Sequence, residues 1–389
     1  MNYNFANNTL TIYLEGKVDT NNSAQIEEEI NNIRTQNPDG DLVLDFEQLN
    51  YISSSGLRII LKLKRKEPSL VLQNVSVDVY DIFEMTGFTE MMEVRKAYKK
   101  LSVEGCEVIG QGANGLVYRY SPEIVVKVYK NPDSLDEIKN ERELAKKAFV
   151  LGIPTAISYD IAKIGNCYGT VFELLNANSF AKLLAKNPEN IDIYVDRSVE
   201  LLKKIHSTCP EKGAMPEIRK EGLKWAKFDM DYLPKETGEK LYRLVDNLKD
   251  EPNMIHGDFH LKNIMLQGDE VLLIDMDTLC TGNKLYEFAA IINAYKLFLE
   301  LDHSEAQRFL GIDFDLAQKF LHKTFEKYFD NDQAMIETVM KKATLIGAMR
   351  LLRRTIKKIG LEDENGRKQA EYFKSVIIQL VDEIDDLNI

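Results

Sequence analysis

The chain has 389 residues, 44% of them hydrophobic, and a formal net charge of -12 at pH 7. That length exceeds one typical domain, so two or three are expected, and the apolar content is ample for packed cores. The acidic balance and the absence of a long basic patch argue against nucleic acid and anionic membrane as partners. From the N-terminus, Asn4–Leu14 alternates around Asn7–Asn8 and predicts a hairpin. Asn22–Ile33 has helical periodicity, Asp41–Phe46 is a short apolar strand, and Ser54–Lys66 is an amphipathic helix opened by serines. Ser69–Leu72 reads as a strand, Val77–Thr86 as a helix and Met91–Tyr98 as a last strand. Alternating strand and helix predict a small α/β sheet.

Lys99–Glu104 is short and polar and is the expected boundary, giving a first domain over 1–98 and a second over 103–389. In the second, Ile109–Gly110–Gln111–Gly112–Ala113–Asn114–Gly115–Leu116–Val117 reads as strand, glycine turn, strand. Glycines let the backbone fold tightly, and exposed N–H groups in such a turn face an anion. Ile124–Val128 places Lys127 inside an apolar strand, where a buried ammonium needs a partner. Ser134–Glu137 has the form of a capping box opening a helix. Glu141 on that helix is the expected partner of Lys127, with Glu143 second; the plain reading of both is solvated helix charge. Further on, Ser179–Ala185, Asp192–His206 and Gly222–Asn247, broken near Pro234, are helical, as are Lys284–Leu301, Asp315–Phe329, Gln333–Ile359 and Gly366–Leu387.

His256–Asn263 lies in a loop between apolar segments and sets Asp258 and Asn263 five residues apart. An Asp there would accept the proton of an attacking hydroxyl, and an Asn would hold a metal ion bridging nucleotide phosphates. Val271–Ile274 is a buried-strand run that ends in Asp275, the place for a second metal ligand. Glycine turn, lysine strand, loop and terminal carboxylate stand in the order phosphoryl transfer requires. Only Met276–Asn283 separates Asp275 from the next helical segment, which leaves no room for a peptide-binding loop and favours a small acceptor.

These motifs carry a resemblance. Gly110–Val117, Lys127, Glu141, His256–Asn263 and Asp275 resemble the aminoglycoside phosphotransferase/choline kinase-like family over roughly residues 103 to 389. The resemblance implies an α+β two-lobed protein-kinase-like fold, with a small lobe over about 103–175 and a helical lobe over about 176–389. It implies ATP and Mg2+, with Gly110, Gly112, Gly115 and Val117 covering the phosphates and Lys127, held by Glu141, on the α/β-phosphates. Asp258 becomes the general base or orienting carboxylate, Asn263 and Asp275 the magnesium ligands, and Val171–Leu175, with Glu173 and Leu174, the adenine hinge. Glu287 matches the helix residue that anchors the catalytic loop, where the family commonly has Asp. In this family the later helices build the acceptor pocket, for which Trp225, Asp229, Asp231, His260, Asp277 and Arg350 are candidates. Each has a plainer reading: Trp225 as packing, Asp229 and Asp231 as loop charges, His260 as structural, Arg350 with Arg353 and Arg354 as a solvated cationic helix end. His206 and His256 read as structural. The acceptor stays open among aminoglycosides, choline-like alcohols, sugars and hydroxy amino acids.

A second resemblance covers the N-terminal part. Leu14–Asp19 and Tyr51–Arg58 are similar to the STAS domain of anti-sigma factor antagonists. In that family a serine two places before a Gly-Leu pair is phosphorylated, here Ser54, though Ser53 stands where Asp is common. A helix N-terminus suits a phosphate, and equally the three serines cap the helix. The expected whole is a phosphotransferase with an N-terminal STAS regulatory or docking domain. The competing reading is a partner-switching protein whose kinase-like part senses nucleotide or phosphorylates Ser54. A protein partner or self-association through the STAS part is expected. Four cysteines without paired spacing suggest neither a disulfide framework nor a zinc site. A reducing cytoplasm fits them, and the polar N-terminus lacks a secretory apolar region. The apolar stretch Phe288–Leu299 is too short to cross a bilayer.

Overall fold

The computed structural model describes residues 1–389 except Ala113 and Ile157, so the reading of the glycine turn at Ala113 lies outside the described residues. The chain divides into two compact units, one of residues 1–102 with 162–165, the other of 103–161 with 166–389.

The first unit opens on a hairpin of β1 (Asn2–Ala6) and β2 (Thr9–Val18). Asn7 and Asn8 turn it with φ of 49° and 59°, left-handed values that asparagine tolerates. Then come α1 (Ser23–Gln36), β3 (Asp41–Ile52), α2 (Ser54–Lys66), β4 (Val71–Val75), α3 (Val77–Met85), α4 (Phe88–Met91) and β5 (Glu93–Lys96). Strands follow the order β1-β2-β3-β4-β5, with β1 antiparallel and the others parallel. Leu10, Ile12 and Leu14 of β2 and Leu42, Leu44 and Phe46 of β3 alternate inward to the helices, the period of two that fixes the register. The α/β expectation holds, with two adjustments. The apolar strand at Asp41 runs on to Ile52, and the strand expected from Met91 begins only at Glu93. Gly87 is left-handed at 76°, a helical turn follows, and Phe88 packs on Phe83 with centroids 5.5 Å apart. Ser53 caps α2 by accepting from Gly56 N at 3.4 Å, and Ser54 stands exposed as the first helical residue. A two-residue strand, β6 (Lys99–Lys100), follows.

In the second unit, β7 (Glu107–Gln111), β8 (Gly115–Arg119) and β9 (Ile124–Tyr129) precede α5 (Leu135–Val150), and β10 (Ser158–Ile164), whose end from Ala162 counts with the first unit, and β11 (Cys167–Glu173) follow it. The strands lie in the order β10-β11-β9-β8-β7, with the pairs β11/β9, β9/β8 and β8/β7 antiparallel. The capping box at Ser134 does not form. Its hydroxyl donates back to the Asn131 carbonyl at 2.7 Å and caps nothing, although α5 still begins at Leu135.

The rest is helical: β12 (Asn178–Ser179), α6 (Phe180–Lys186), α7 (Ile191–Ser207), α8 (Ile218–Asp229) and α9 (Lys235–Asp246). Next are β13 (Met254–Ile255), β14 (Ile264–Gln267), β15 (Glu270–Leu273), β16 (Cys280–Thr281) and α10 (Leu285–Ile292). Last come α11 (Phe314–Tyr328), α12 (Gln333–Lys358) and α13 (Glu364–Glu383). α10 passes into a π turn at Asn293–Leu297, and a second π turn, Ala306–Leu310, was not foreseen. α12 runs through the lobe core, burying Leu345, Ile346, Met349 and Leu352.

Candidate active site

Three separate elements of the second unit meet at Lys127. β9 holds its stem, and Nζ reaches Glu141 on α5 at 3.0 and 3.3 Å and Asp275 beyond β15 at 2.9 Å. Glu143 points to solvent, so the pairing falls to Glu141. Tyr129, two residues on from Lys127, donates its hydroxyl to Glu141 Oε2. Burial opposes the lysine charge, but Glu141 and Asp275 outweigh it and hold the pKa well above the ordinary range. Asp275 takes a left-handed φ of 67°, an uncommon state for a non-glycine residue that marks functional turns. Asp277 follows in the turn Met276–Thr278 and accepts from Asn114 Nδ2 at 3.3 Å. Its carboxyl keeps a solvent-facing edge, yet desolvation, with Asp275 and Glu141 nearby, pushes the pKa up to about 7. A cavity of about 300 Å³ opens here, lined by Asn114, Tyr129, Glu137, Asn140, Glu141 and Asp277.

In the glycine turn, Gly115 is required by packing: a Cβ would sit 2.3 Å from the Val128 carbonyl oxygen. Gly112 has open space where a side chain would stand, and Gly110 makes ordinary contact with Val117. At the expected hinge, the Leu174 N–H is taken by the Glu123 carbonyl at 2.8 Å, and Glu173 is exposed at the end of β11.

The loop between β13 and β14 is held from all sides. The His256 and Gly257 N–H groups donate to the two oxygens of buried Glu287 at 2.6 and 2.9 Å. Glu287 on α10 thus has the reach expected of the anchor. Burial lifts its pKa to about 7 against those two hydrogen bonds. Thr278 Oγ1 donates to the His256 carbonyl at 2.7 Å, Arg350 Nη1 to the Gly257 carbonyl at 2.8 Å, and Leu261 N to the Tyr295 hydroxyl at 2.8 Å. His256 Nε2 lies 3.2 Å from the Ile274 carbonyl, so it is the protonated nitrogen, and Nδ1 accepts from Asp258 N at 3.3 Å. Tyr129 and Tyr295 carry no sequence signal beyond polarity inside buried segments, and Arg350, a candidate for the acceptor pocket, also braces the loop.

Asp258 emerges from this frame. Burial raises its pKa, but His260, His256 and Arg350 outweigh that and hold it far below the usual carboxylate range. His260 is buried edge-on to Phe309 at 5.1 Å, with Nε2 3.4 Å from Asp258 Oδ2. Asn263 Nδ2 lies 3.0 Å from the Asp258 carbonyl and 3.4 Å from its carboxylate. Asp258, His260, Asn263, Asp275 and Asp277 therefore belong to one constellation. Of the other candidates, Trp225 is buried beneath Arg350, Asp229 is buried with neither oxygen hydrogen-bonded, and Asp231 is exposed. His206 pairs with the Tyr328 hydroxyl at 2.8 Å as a structural residue. Among the described residues, no group of three or more His, Cys, Asp and Glu is set to hold a metal.

Gly257 has a φ of 79°, and a Cβ there would lie 3.0 Å from the Thr278 carbonyl oxygen. Gly257→Ala is expected to cost roughly 1–3 kcal/mol, measured by chemical denaturation, from the strained backbone alone. Unchanged stability would mean that the loop adopts another path.

The family profile described as "Phosphotransferase enzyme family" matches residues 105–318, and the STAS domain profile matches residues 1–101. The candidate anti-sigma factor antagonist BtrV of Bordetella bronchiseptica is 34% identical over 85 residues, 21% of this chain and 72% of that protein. A thermostable mutant of the aminoglycoside phosphotransferase APH(4)-Ia, in its apo form, has a TM-score of 0.50 at 12% identity, covering 72% of this chain and 94% of that one. Its ternary complex with AMP-PNP and hygromycin B has a TM-score of 0.51 at 10% identity, covering 72% and 94%. These structures share the fold. The chain belongs to the phosphotransferase enzyme family and carries a STAS domain as its N-terminal unit.

Proposed function

We propose that this chain transfers the γ-phosphoryl group of ATP to a hydroxyl of a small molecule. The observation that carries the reading is Lys127 held between Glu141 and Asp275, in the same unit as the Asp258–Asn263 loop. Lys127 supplies charge to the α/β-phosphates, and the turn from Gly110 to Val117 covers them with backbone N–H groups. Adenine contacts at the hinge fall to carbonyls near Glu173 and Leu174, since the Leu174 N–H is already engaged.

Asn263 and Asp275 would hold magnesium. The fit is chemical: the Asn263 amide and the Asp275 carboxylate offer oxygen donors, as this ion prefers. When bound, magnesium neutralises phosphate charge as it develops. Asp258 stays ionised at any working pH and accepts the hydrogen bond of the acceptor hydroxyl. The hydroxyl oxygen forms the new bond to phosphorus, the bond to the β-phosphate oxygen breaks, and the proton passes to Asp258. Positioning and charge account for most of the rate.

The STAS unit acts as a regulatory or docking module for a protein partner or a second copy, and Ser54, exposed at the start of α2, is its proposed phosphorylation point. The same active site modifying Ser54 is the second reading. Among the described residues, no helix is long and apolar enough to cross a membrane.

Nucleotide binding tests the metal role. ATP with magnesium is expected to stabilise the protein against heat more than ATP with chelator, and Asp275→Ala to remove that difference. Equal stabilisation in both proteins and both conditions would refute it.

A further inference from the structure

We propose that the phosphate acceptor carries an anionic group, a carboxylate or a phosphate, received by the cationic face that Arg350, Arg353, Arg354 and Lys357 form on α12. This rests on the function proposed above and names the charge class of its acceptor.

The four residues are spaced three, four and seven positions from Arg350, which places them on one side of a helix. They lie along an aromatic ridge. The Arg350 guanidinium sits 5.5 Å over the Trp225 ring, and Lys357 Nζ sits 5.1 Å over Phe228, both on α8. Phe228 packs on Tyr232 at 5.2 Å, and Lys374 of α13 covers Tyr232 at 5.7 Å. Cations over aromatic faces are attracted and remain charged. Arg350 feels Asp258 and Glu287 at longer range, but the row has no close ion pair among the described residues. Among the described residues, none of these five cations has a carboxylate partner within 4.0 Å, while their neighbours Lys341, Lys342 and Lys368 pair with Glu383, Asp386 and Glu364. In a chain of net charge -12, such a stripe is out of keeping with the rest of the surface.

A carboxylate that Arg353 feels is Asp229, at the end of α8. It is fully buried with neither oxygen hydrogen-bonded, and burial lifts its pKa to about 8 although Arg353 pulls it down. It is therefore mostly protonated at neutral pH and does not cancel the arginines. On the other flank Glu141 and Asp275 are engaged by Lys127, and Asp277 accepts from Asn114 on the nucleotide side of the site.

The stripe also has a direction. Its inner end is Arg350, bonded to the carbonyl of the residue before Asp258. Its outer end is Lys357, seven residues along, about 10 Å at the helical rise. Arg353 is partly exposed, and Arg354 and Lys357 are exposed. An acceptor whose hydroxyl rests on Asp258 would extend its far end along these side chains. An arginine fork suits a carboxylate or a phosphate by paired hydrogen bonds, and a cationic acceptor would meet like charge.

The test uses the full chain with ATP and magnesium and sugars that differ in charge: gluconate and glucose 6-phosphate, glucose, and glucosamine and kanamycin. Arg354→Glu with Lys357→Glu is the main variant, because both side chains are exposed and folding should tolerate it. The expected order of kcat/KM is anionic, then neutral, then cationic. The double reversal is expected to lower kcat/KM for the anionic sugars by roughly tenfold or more through KM, with KM for ATP and the values for glucose little changed. A cationic sugar as best acceptor, or an anionic-to-neutral ratio unmoved by the reversal, overturns the proposal. If no sugar is phosphorylated, the sugars are compared by thermal stabilisation of the nucleotide-loaded protein, so the charge question is answered apart from turnover. Stabilisation by glucose 6-phosphate beyond that by glucose, lost in the double variant, supports the anionic site. Equal stabilisation overturns it.

Discussion

Asp258→Asn is expected to lower kcat by about a hundredfold or more while leaving the affinity for ATP nearly unchanged. The substitution keeps the side-chain shape within the loop framed by Glu287, Tyr295 and Arg350, so the backbone contacts persist. What it removes is the anion that His260, His256 and Arg350 maintain. Those groups would then face a neutral amide that cannot take the acceptor proton. Because the wild-type carboxylate is held far below the usual range, the acidic limb of its pH–rate profile is expected to lie well below neutrality. Steady-state kinetics with any phosphorylated acceptor, beside nucleotide titration, reads both quantities. Wild-type turnover in the variant would remove Asp258 from the chemistry.

Asp229→Asn is expected to make the protein more stable in mildly alkaline solution and no more stable in acid. Asp229 has a folded pKa of about 8 against an ordinary value of 3.8. A carboxyl raised on folding binds protons in the native state that the unfolded chain has released, so stability falls as pH climbs from about 4 to about 8. The upper bound of that loss is about 6 kcal/mol, and relaxation with water access reduces it to roughly 2–4 kcal/mol. An amide has no such titration, though its own unmade hydrogen bonds cost roughly 1–3 kcal/mol. The two stability curves should therefore converge or cross on the acid side and separate toward pH 8, as read by denaturant unfolding at several pH values. A constant difference across the range would show that Asp229 finds a partner and remains charged.

The residues whose chemistry constrains their type were legible in the sequence. A lysine among Val125, Val126 and Val128 has few explanations other than a buried partner, and Glu141 supplies it. Paired asparagines between alternating runs fixed the first hairpin for a comparable reason, since few other residues accept left-handed turns. The failures arise where a local pattern competes with something outside it. Ser134 and Glu137 have capping-box spacing, but the serine hydroxyl is drawn to the Asn131 carbonyl of its own turn. Met91 looked like the start of a strand until burial of Phe88 imposed a helical turn. Three serines in a row offered equivalent caps, and the backbone chose Ser53, with Ser54 and Ser55 inside α2. Tyr295 and Arg350 reach the catalytic loop across 34 and 93 residues, and no spacing rule spans such distances. Arg350 even resembled a solvated helix end, because its contacts with Trp225 and Gly257 exist only once α8, α12 and the loop are assembled.

That long reach from Arg350 to Gly257 has a consequence for the order in which the protein matures. A ribosome adds about 5–20 residues per second and releases the chain from its N-terminus. When synthesis has reached only residue 318, the end of the matched phosphotransferase segment, α12 has not yet been translated. The loop bearing Asp258 must wait for a helix made seconds later before its Gly257 carbonyl is engaged. The STAS sequence, complete within the first 101 residues, is free of that wait. A messenger stalled or truncated before codon 350 would thus yield a chain with every phosphoryl-transfer motif present and the loop frame unfinished.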